Sequence, residues 1–468
     1  MSSINKNNSF RDSIATIDKE GKRAWIFPKK PSGKLFNLRV YFTYVYLIAF
    51  FGLPFIKVNS EPLFLMDILH KKFILFGMIF WPQDFFIFGI GMLIFIIFIA
   101  LFTVVFGRVF CGWACPQTIF MEMIFRRIEY LIEGDGTHQK ALKQALWTND
   151  KIQKRIIKFI LFFAISYLIS NTSLCYFIGF DEVVKMYTEP ISGHIGGLIS
   201  LIIFTFVFYF VYSYLREQVC LIVCPYGRMQ GVLLDRDTIV VAYDYERGEP
   251  RHKIKKSEEH GKGDCIDCGL CVKVCPTGID IRNGTQLECV NCTACIDECD
   301  HVMEKVNLPI GLIRYASENG IKDKQKLTFT TRMKAYTIVL IALISLEVFL
   351  LATRSDYDAT ILRAKGMLFQ EQPGNKISNL YTIKLVNKTR ENLPVEIKVE
   401  NFNAEIKIIG KEFIVKNEAV SEGVFFVILN KNDVKKRNST LEIGVYSNHL
   451  KIKTVNTNFL SNISRIKK

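Results

Sequence analysis

The chain has no cysteine after Cys299, few histidines and no apolar leader at its start. Without cysteine, an exported C-terminal domain would rely on no disulfide, and the thirteen thiols stay in the part of the chain suited to a reducing compartment. The seven histidines are His70, His138, His194, His252, His260, His301 and His449. Only His194 lies near a long apolar run. A membrane di-haem cytochrome needs histidine pairs on facing spans, so haem b is disfavoured. His301, just after the last cysteine, reads as a surface residue. The first 37 residues are polar and basic (Lys6, Arg11, Lys19, Lys22, Arg23, Lys29, Lys30, Lys34), so no cleavable signal peptide is expected.

Apolar residues, in contrast, are abundant. The mean hydropathy is +0.20 and 50% of residues are hydrophobic, concentrated in long runs. Five runs read as membrane spans: Val40–Ile56, Phe85–Phe106, Phe159–Phe180, Ile195–Leu215 and Ala335–Ala352. The net charge of +15 does not point to nucleic acid, because the cations gather beside the spans. Arg108, Arg126, Arg127, Lys140, Lys143, Lys151, Lys154 and Arg155 fill the second loop. The third loop sets Asp181, Glu182 and Glu189 against Lys185. The positive-inside rule then expects the N-terminus, the second loop and the cysteine-rich stretch from Cys265 to Cys299 in the cytoplasm, and with five spans the C-terminus falls outside. Lys57, Lys71 and Lys72 in the first loop run against this. Leu63–Phe80 is too interrupted by charge to span and reads as an interfacial or re-entrant piece. Trp81 and Pro82 lead into the second span.

Between Cys265 and Cys299 the pattern C-x2-C-x2-C-x3-C occurs twice: Cys265, Cys268, Cys271, Cys275, then Cys289, Cys292, Cys295, Cys299. A cubane iron–sulfur cluster needs four thiolates. A C-x2-C-x2-C loop supplies three, and in two-cluster ferredoxins the fourth comes from the other repeat. The expected sets are Cys265, Cys268, Cys271 with Cys299, and Cys289, Cys292, Cys295 with Cys275. Zinc wants two C-x2-C pairs and fits poorly. Pro276 follows the first repeat. Asp300 stands at the matching place in the second, where it is a packing difference or lowers the potential of a nearby cluster.

Two C-x3-C-P motifs follow the second and fourth spans: Cys111, Cys115, Pro116 and Cys220, Cys224, Pro225. A helix with proline at its first position is expected after each. Thr118–Ile132 has an amphipathic pattern. The layout suggests a duplicated unit of two spans, motif and helix. Cysteines at i and i+4 share a helix face. They could bind a soft ion such as Cu(I), close a strained bridge, or simply pack. Arg108 or Arg216 would depress their pKa. Convergence of Cys111, Cys115, Cys220 and Cys224 would make a thiol-rich site at the membrane edge. Met121 and Met123 face apart and read as packing, as does the isolated Cys175. Ser170-Asn171-Thr172-Ser173 should face other helices. Glu347, near the outer end of the last span, either snorkels or is functional.

From Asn379 the periodicity becomes two: Tyr381, Ile383, Leu385; Val395, Ile397, Val399; Leu441, Ile443, Val445. This is the signature of an immunoglobulin-like β-sandwich with a docking or scaffolding role. The expected organisation is multidomain α + β. It comprises an N-terminal segment (1–37), a first span pair (38–106), a loop with the first motif (107–155), a second span pair (156–215), and the second motif with linker (216–262). A two-cluster ferredoxin-like domain (263–332), a fifth span (333–352) and the sandwich (353–468) complete it.

Together these features resemble the CcoG/FixG family of cytochrome c oxidase accessory proteins. The resemblance covers nearly the whole chain. It is carried by Phe80-Trp81-Pro82-Gln83-Asp84, Gly107-Arg108 with Cys111 and Cys115-Pro116-Gln117-Thr118, and Ile128-Glu129 with Glu133-Gly134-Asp135. Arg247-Gly248-Glu249-Pro250-Arg251, Gly263-Asp264-Cys265-Ile266-Asp267-Cys268, Gly311-Leu312-Ile313-Arg314-Tyr315 and Asn379-Leu380-Tyr381-Thr382 complete it. The resemblance implies two [4Fe–4S] clusters and a role in maturing cbb(3)-type haem–copper oxidase. It also implies reduction of Cu(II) to Cu(I), with the C-x3-C-P cysteines as copper-proximal thiols. The expected partners are membrane lipid, the oxidase or its copper-handling assembly factors, a cytoplasmic electron donor and a second copy of the chain. The alternatives are a quinol-linked membrane ferredoxin of the nitrate-reductase type and a non-catalytic assembly scaffold.

Overall fold

The computed structural model describes residues 16, 20, 22–58, 61–68, 72–80, 84–253, 263–324, 329–364, 368–389, 391–410, 414–417, 419–434, 436–447 and 450–462. Lys6, Arg11, Lys19, His70, Lys71, Trp81, Pro82, Gln83, His260 and His449 lie outside the described residues. The chain forms two compact units, divided at Glu347/Val348.

Among the described residues, five helices are long and apolar enough to cross a membrane: Lys34–Phe55, Phe85–Phe106, Asn149–Ile178, Ile191–Leu215 and Thr331–Ala352. At about 1.5 Å per residue, even the shortest matches a hydrocarbon core of about 30 Å. The first and third begin well before their apolar runs, because polar first turns extend the helix beyond the hydrocarbon. Thr148 caps the third, its Oγ1 accepting from the Lys151 backbone N–H at 3.3 Å. Ser170 and Thr172 of the polar run are buried among helices. Cys175 packs with Leu174, Val183, Met186 and Leu201.

In the first loop, the stretch read as interfacial or re-entrant is built of strands. Phe64–Asp67, Lys72–Leu75 and Met78–Phe80 form a small antiparallel sheet. Leu65, Ile74 and Ile79 make its core. The charges that break a span tolerate short strands, whose side chains alternate between faces. Phe76 and Gly77, both at positive φ, turn the second strand into the third.

The cysteine-rich cassette is bracketed by two antiparallel strands, Val240–Tyr243 and Ile313–Ala316. Val241, Tyr243, Ile281, Ile296, Met303, Leu312 and Ile313 pack around the cysteines. Each repeat turns through a left-handed residue, Gly269 or Thr293, into a helix, Leu270–Lys273 or Ala294–Lys305. The cassette is built into the span bundle. Asp297 caps the first span, accepting from the N–H groups of Leu35 (3.1 Å) and Phe36 (2.7 Å). A Cβ at Gly33, where φ is +148°, would lie 2.3 Å from the Asp297 side chain, so this approach requires glycine. At the end of the second span, the carbonyls of Val104 and Val105 accept from Thr238 Oγ1 and the Ile239 N–H, both at 2.9 Å.

The second unit contains an immunoglobulin-like sandwich. Lys376–Asn387 pairs with Val420–Asn430 and Tyr357–Arg363, and Glu405–Ile409 joins on Val420–Asn430. The other sheet is Glu396–Val399, Asn438–Ser447 and Leu450–Leu460. Tyr381, Ile383, Leu385, Leu441, Ile443 and Val445 all point into one core, as the period-two pattern requires.

Candidate electron-transfer site

Two cavities lie in the cassette. One is lined by Cys265, Cys268, Cys271 and Cys299, with Tyr243, Arg282 and Leu312. The other is lined by Cys275, Cys289, Cys292 and Cys295, with Ile279, Ile281 and Thr293. The structure therefore groups the thiols in the crossed sets that two cubane clusters require. Among the described residues, no three His, Cys, Asp or Glu side chains converge tightly enough to hold a single metal ion. Four thiols spaced around a largely apolar cavity suit a cluster with several irons and do not suit one zinc ion. Burial pushes Cys271, Cys289 and Cys299 up to about 12 and Cys292 up to about 11, so iron must displace protons to bind. Cys271 lines both cavities, which thus share a wall. Cys268 is exposed, so the first cavity is the one closer to solvent. Asp300, the departure from proline, accepts from the Gly311 N–H at 2.8 Å and ties the cassette to its closing strand.

The twin motifs correct the helical reading. Cys111 lies in Val109–Trp113, but Cys115 is extended (φ −66°, ψ 126°) and caps the helix that begins at Pro116. Cys220 lies in a π-helical turn, Val219–Val223, and Cys224 is extended (φ −70°, ψ 114°) before Pro225. Each pair flanks a helix break. The halves match closely in backbone. The second span ends at Gly107 (φ 55°, ψ −130°) and the fourth at Arg216 (φ 51°, ψ −124°), each four residues before its first cysteine.

The halves also cross. Cys111 meets Gln230 of the second half, whose amide donates to its sulfur at 3.4 Å. Cys220 meets Thr118 of the first half. Cys111 lies within electrostatic reach of Cys115 and Cys224, and Cys220 of Cys111, Cys115 and Cys224, although among the described residues no three converge on a single ion position. The expected pKa depression is not found. Burial raises Cys111 against the opposing Arg108, and burial pushes Cys220 up to about 12. Arg216 turns away to Glu129.

The first motif packs against the wall of the second cavity. A Cβ at Gly112 would lie 2.4 Å from the Val290 carbonyl oxygen, so glycine lets the first motif press on the Cys289–Cys292 loop. Arg108 is buried between them, donating to Gln230, to the Leu287 carbonyl and to the Gly227 carbonyl at 3.0 Å. A third cavity, beside Cys220, shares Pro276, Thr277 and Val290 with the second. The three cavities thus lie side by side, each sharing a wall with the next.

Beneath the motifs lies a buried ion network that the sequence reading missed. Arg216 donates to both oxygens of Glu129, at 2.9 and 2.6 Å. Lys158 adds 2.6 Å to Glu129, and Arg126 sits between Glu122 (3.4 Å) and Glu217 (3.5 Å). These charges hold Glu129 down to about 2 despite its burial. Its contribution to stability is complete above the usual carboxylate range and is lost only as pH falls towards about 2. The network also offsets strain at Arg216, whose positive φ costs about 1–3 kcal/mol. Thr118–Ile132 is therefore a packed element with a π-helical middle, Ile119–Phe125. Met121 and Met123 are both buried, as packing residues should be.

Three family models match the chain: a 4Fe-4S dicluster domain over residues 215–318, a 4Fe-4S binding domain over 88–133, and the IG-like fold at the C-terminus of FixG over 348–462. Protein RdxA of Cereibacter sphaeroides is 33% identical over 81% of this chain and 82% of its own. Nitrogen fixation protein FixG of Rhizobium meliloti is 30% identical over 86% of this chain and 84% of its own. A crystal structure of a FixG-related protein from Vibrio parahaemolyticus covers 24% of this chain and 100% of its own, with 18% identity and a TM-score of 0.21.

Proposed function

This chain belongs to the FixG family of iron–sulfur membrane electron-transfer proteins, and from that premise we propose that it reduces Cu(II) to Cu(I) for maturation of cbb(3)-type oxidase. The observation that carries this reading is the succession of wall-sharing cavities from exposed Cys268 to Cys220, just past the end of the fourth span. Clusters, when bound, supply one-electron carriers with potentials between about −700 and +450 mV, which accommodates copper reduction. Cys265, Cys268, Cys271 and Cys299 would hold the outer one, and Cys275, Cys289, Cys292 and Cys295 the inner. Arg108 and Arg39 lie near Cys289 and Cys292 and favour their thiolate forms. Cys111, Cys115, Cys220 and Cys224 would meet copper as a substrate. Each Cu(II) takes one electron, and soft thiols suit the Cu(I) product. Since no three of them converge, copper is met by one or two thiols at a time.

Protein reduced beforehand without oxygen and mixed with Cu(II) and a Cu(I)-selective chelator should lose its reduced-cluster absorbance while the Cu(I) complex forms. Reduced clusters that persist beside Cu(II) would sink the reading and favour a quinol-linked carrier or a scaffold. A second reading has its own support. The 4Fe-4S binding model over 88–133 covers only two cysteines, Cys111 and Cys115. Joined by Cys220 and Cys224, they could complete a third cluster.

The orientation is also a proposal, supported by the charged loops. The N-terminus and cassette face the cytoplasm, where the electron donor would be, and the sandwich faces the periplasm. A reporter active only outside the cytoplasm should work when fused after Lys468 and fail when fused near Lys262. The reverse pattern would invert the topology.

A further inference from the structure

At the head of the first span lies a cavity of about 310 Å³ that no cysteine lines. Three cations line it: Lys30, Arg39 and Arg127. Among the described residues, none of the three has a carboxylate within ion-pair distance. Arg39 is 3% exposed, and one terminal guanidinium nitrogen is buried with no hydrogen-bond partner. Glu122 also lines the cavity, but its carboxylate lies 3.4 Å from the fully buried Arg126. Tyr130 closes one side, its hydroxyl donating to the Pro28 carbonyl at 3.3 Å. Arg127 lies over the Phe36 ring, 5.6 Å from its centroid.

A buried guanidinium without a partner is unfavourable, and anchoring three cations around an open cavity compounds the repulsion. A phosphate relieves both, since its several acceptor oxygens match the forked donors of arginine. The position selects the carrier of that phosphate. Arg39 sits in the second turn of the first span, while Lys30 and Arg127 lie just outside the spans. That is the depth of lipid headgroups, and basic pockets beside spans suit anionic lipids. We propose that this cavity binds the phosphate of an anionic phospholipid, clamping the first span to the Arg126–Ile132 helix.

The test uses delipidated full-length protein in detergent, titrated with phosphatidylglycerol, phosphatidylcholine and inorganic phosphate, and read by native mass spectrometry and calorimetry. One phosphatidylglycerol should bind per chain, and the double variant Lys30→Gln, Arg127→Gln, which spares Arg39 beside Cys292, should bind it at least tenfold more weakly with its cluster absorbance intact. Should the double variant fail to fold, Lys30→Gln at the exposed rim gives the same comparison with a smaller loss. Inorganic phosphate that saturates the site and displaces the lipid would keep the phosphate site but make its source soluble. Equal binding of phosphatidylcholine, wild-type affinity in the variants, or no stoichiometric binding of lipid or phosphate to the wild type would overturn the proposal.

Discussion

Cys275→Ser should cut the iron content from about eight to about four atoms per chain, and the cluster lost should be the one held by the second repeat. The result is counterintuitive from sequence order, because Cys275 belongs to the first C-x2-C-x2-C-x3-C run. In the fold it lines the cavity of Cys289, Cys292 and Cys295, and its sulfur lies 3.4 Å from the Thr277 hydroxyl in the same wall. Serine keeps the size and removes the soft thiolate, so one corner of that cubane loses its ligand. Cys299→Ser should do the reciprocal damage to the set of Cys265, Cys268 and Cys271. Iron analysis with electron paramagnetic resonance of the reduced protein separates the two. Retention of the second-repeat signal in Cys275→Ser would refute crossed ligation.

The double replacement Cys111→Ala, Cys115→Ala should abolish copper reduction and leave both cassette clusters in place. These thiols line neither cassette cavity, so iron should remain at about eight atoms per chain. The first motif nevertheless packs on the second-repeat loop through Gly112, so its thiols are well placed to receive an electron from the inner set. If the four thiols instead hold a third cluster, the wild type should contain about twelve irons and the variant about eight. Iron content and copper reduction together therefore distinguish a copper-facing dithiol from a third iron site.

Much of this architecture was legible because its signals are local. Apolar length gave the spans, cysteine spacing gave the cassette, and alternation at Tyr381, Ile383 and Leu385 gave the sandwich. The break inside each C-x3-C-P motif was legible too. A residue before proline is biased away from the helical region, and Cys115 and Cys224 both precede one. The helical i, i+4 reading overlooked that restriction. The ion network was beyond the sequence for a different reason. Glu129 and Arg216 are 87 residues apart, and nothing local marks them as partners. Arg108, Arg126 and Lys151 were counted as loop charge for topology, yet all three are buried. The thiol pKa values went the same way, since burial at Cys220 outweighs any cation near it. The small sheet in the first loop was hidden because its strands are only three or four residues long.

The central claim is that electrons leave the inner cluster through the C-x3-C-P thiols to copper. Its most direct test is a single-turnover experiment on oxygen-free, fully reduced protein mixed rapidly with Cu(II). Freeze-quenched samples would then be read by electron paramagnetic resonance. The signal of the Cys289 set should be reoxidised before that of the Cys265 set, with Cu(I) appearing in step. In Cys111→Ala, Cys115→Ala, both signals should persist over the same interval. Reoxidation of that variant at the wild-type rate, with its iron intact, would mean that electrons leave the protein elsewhere.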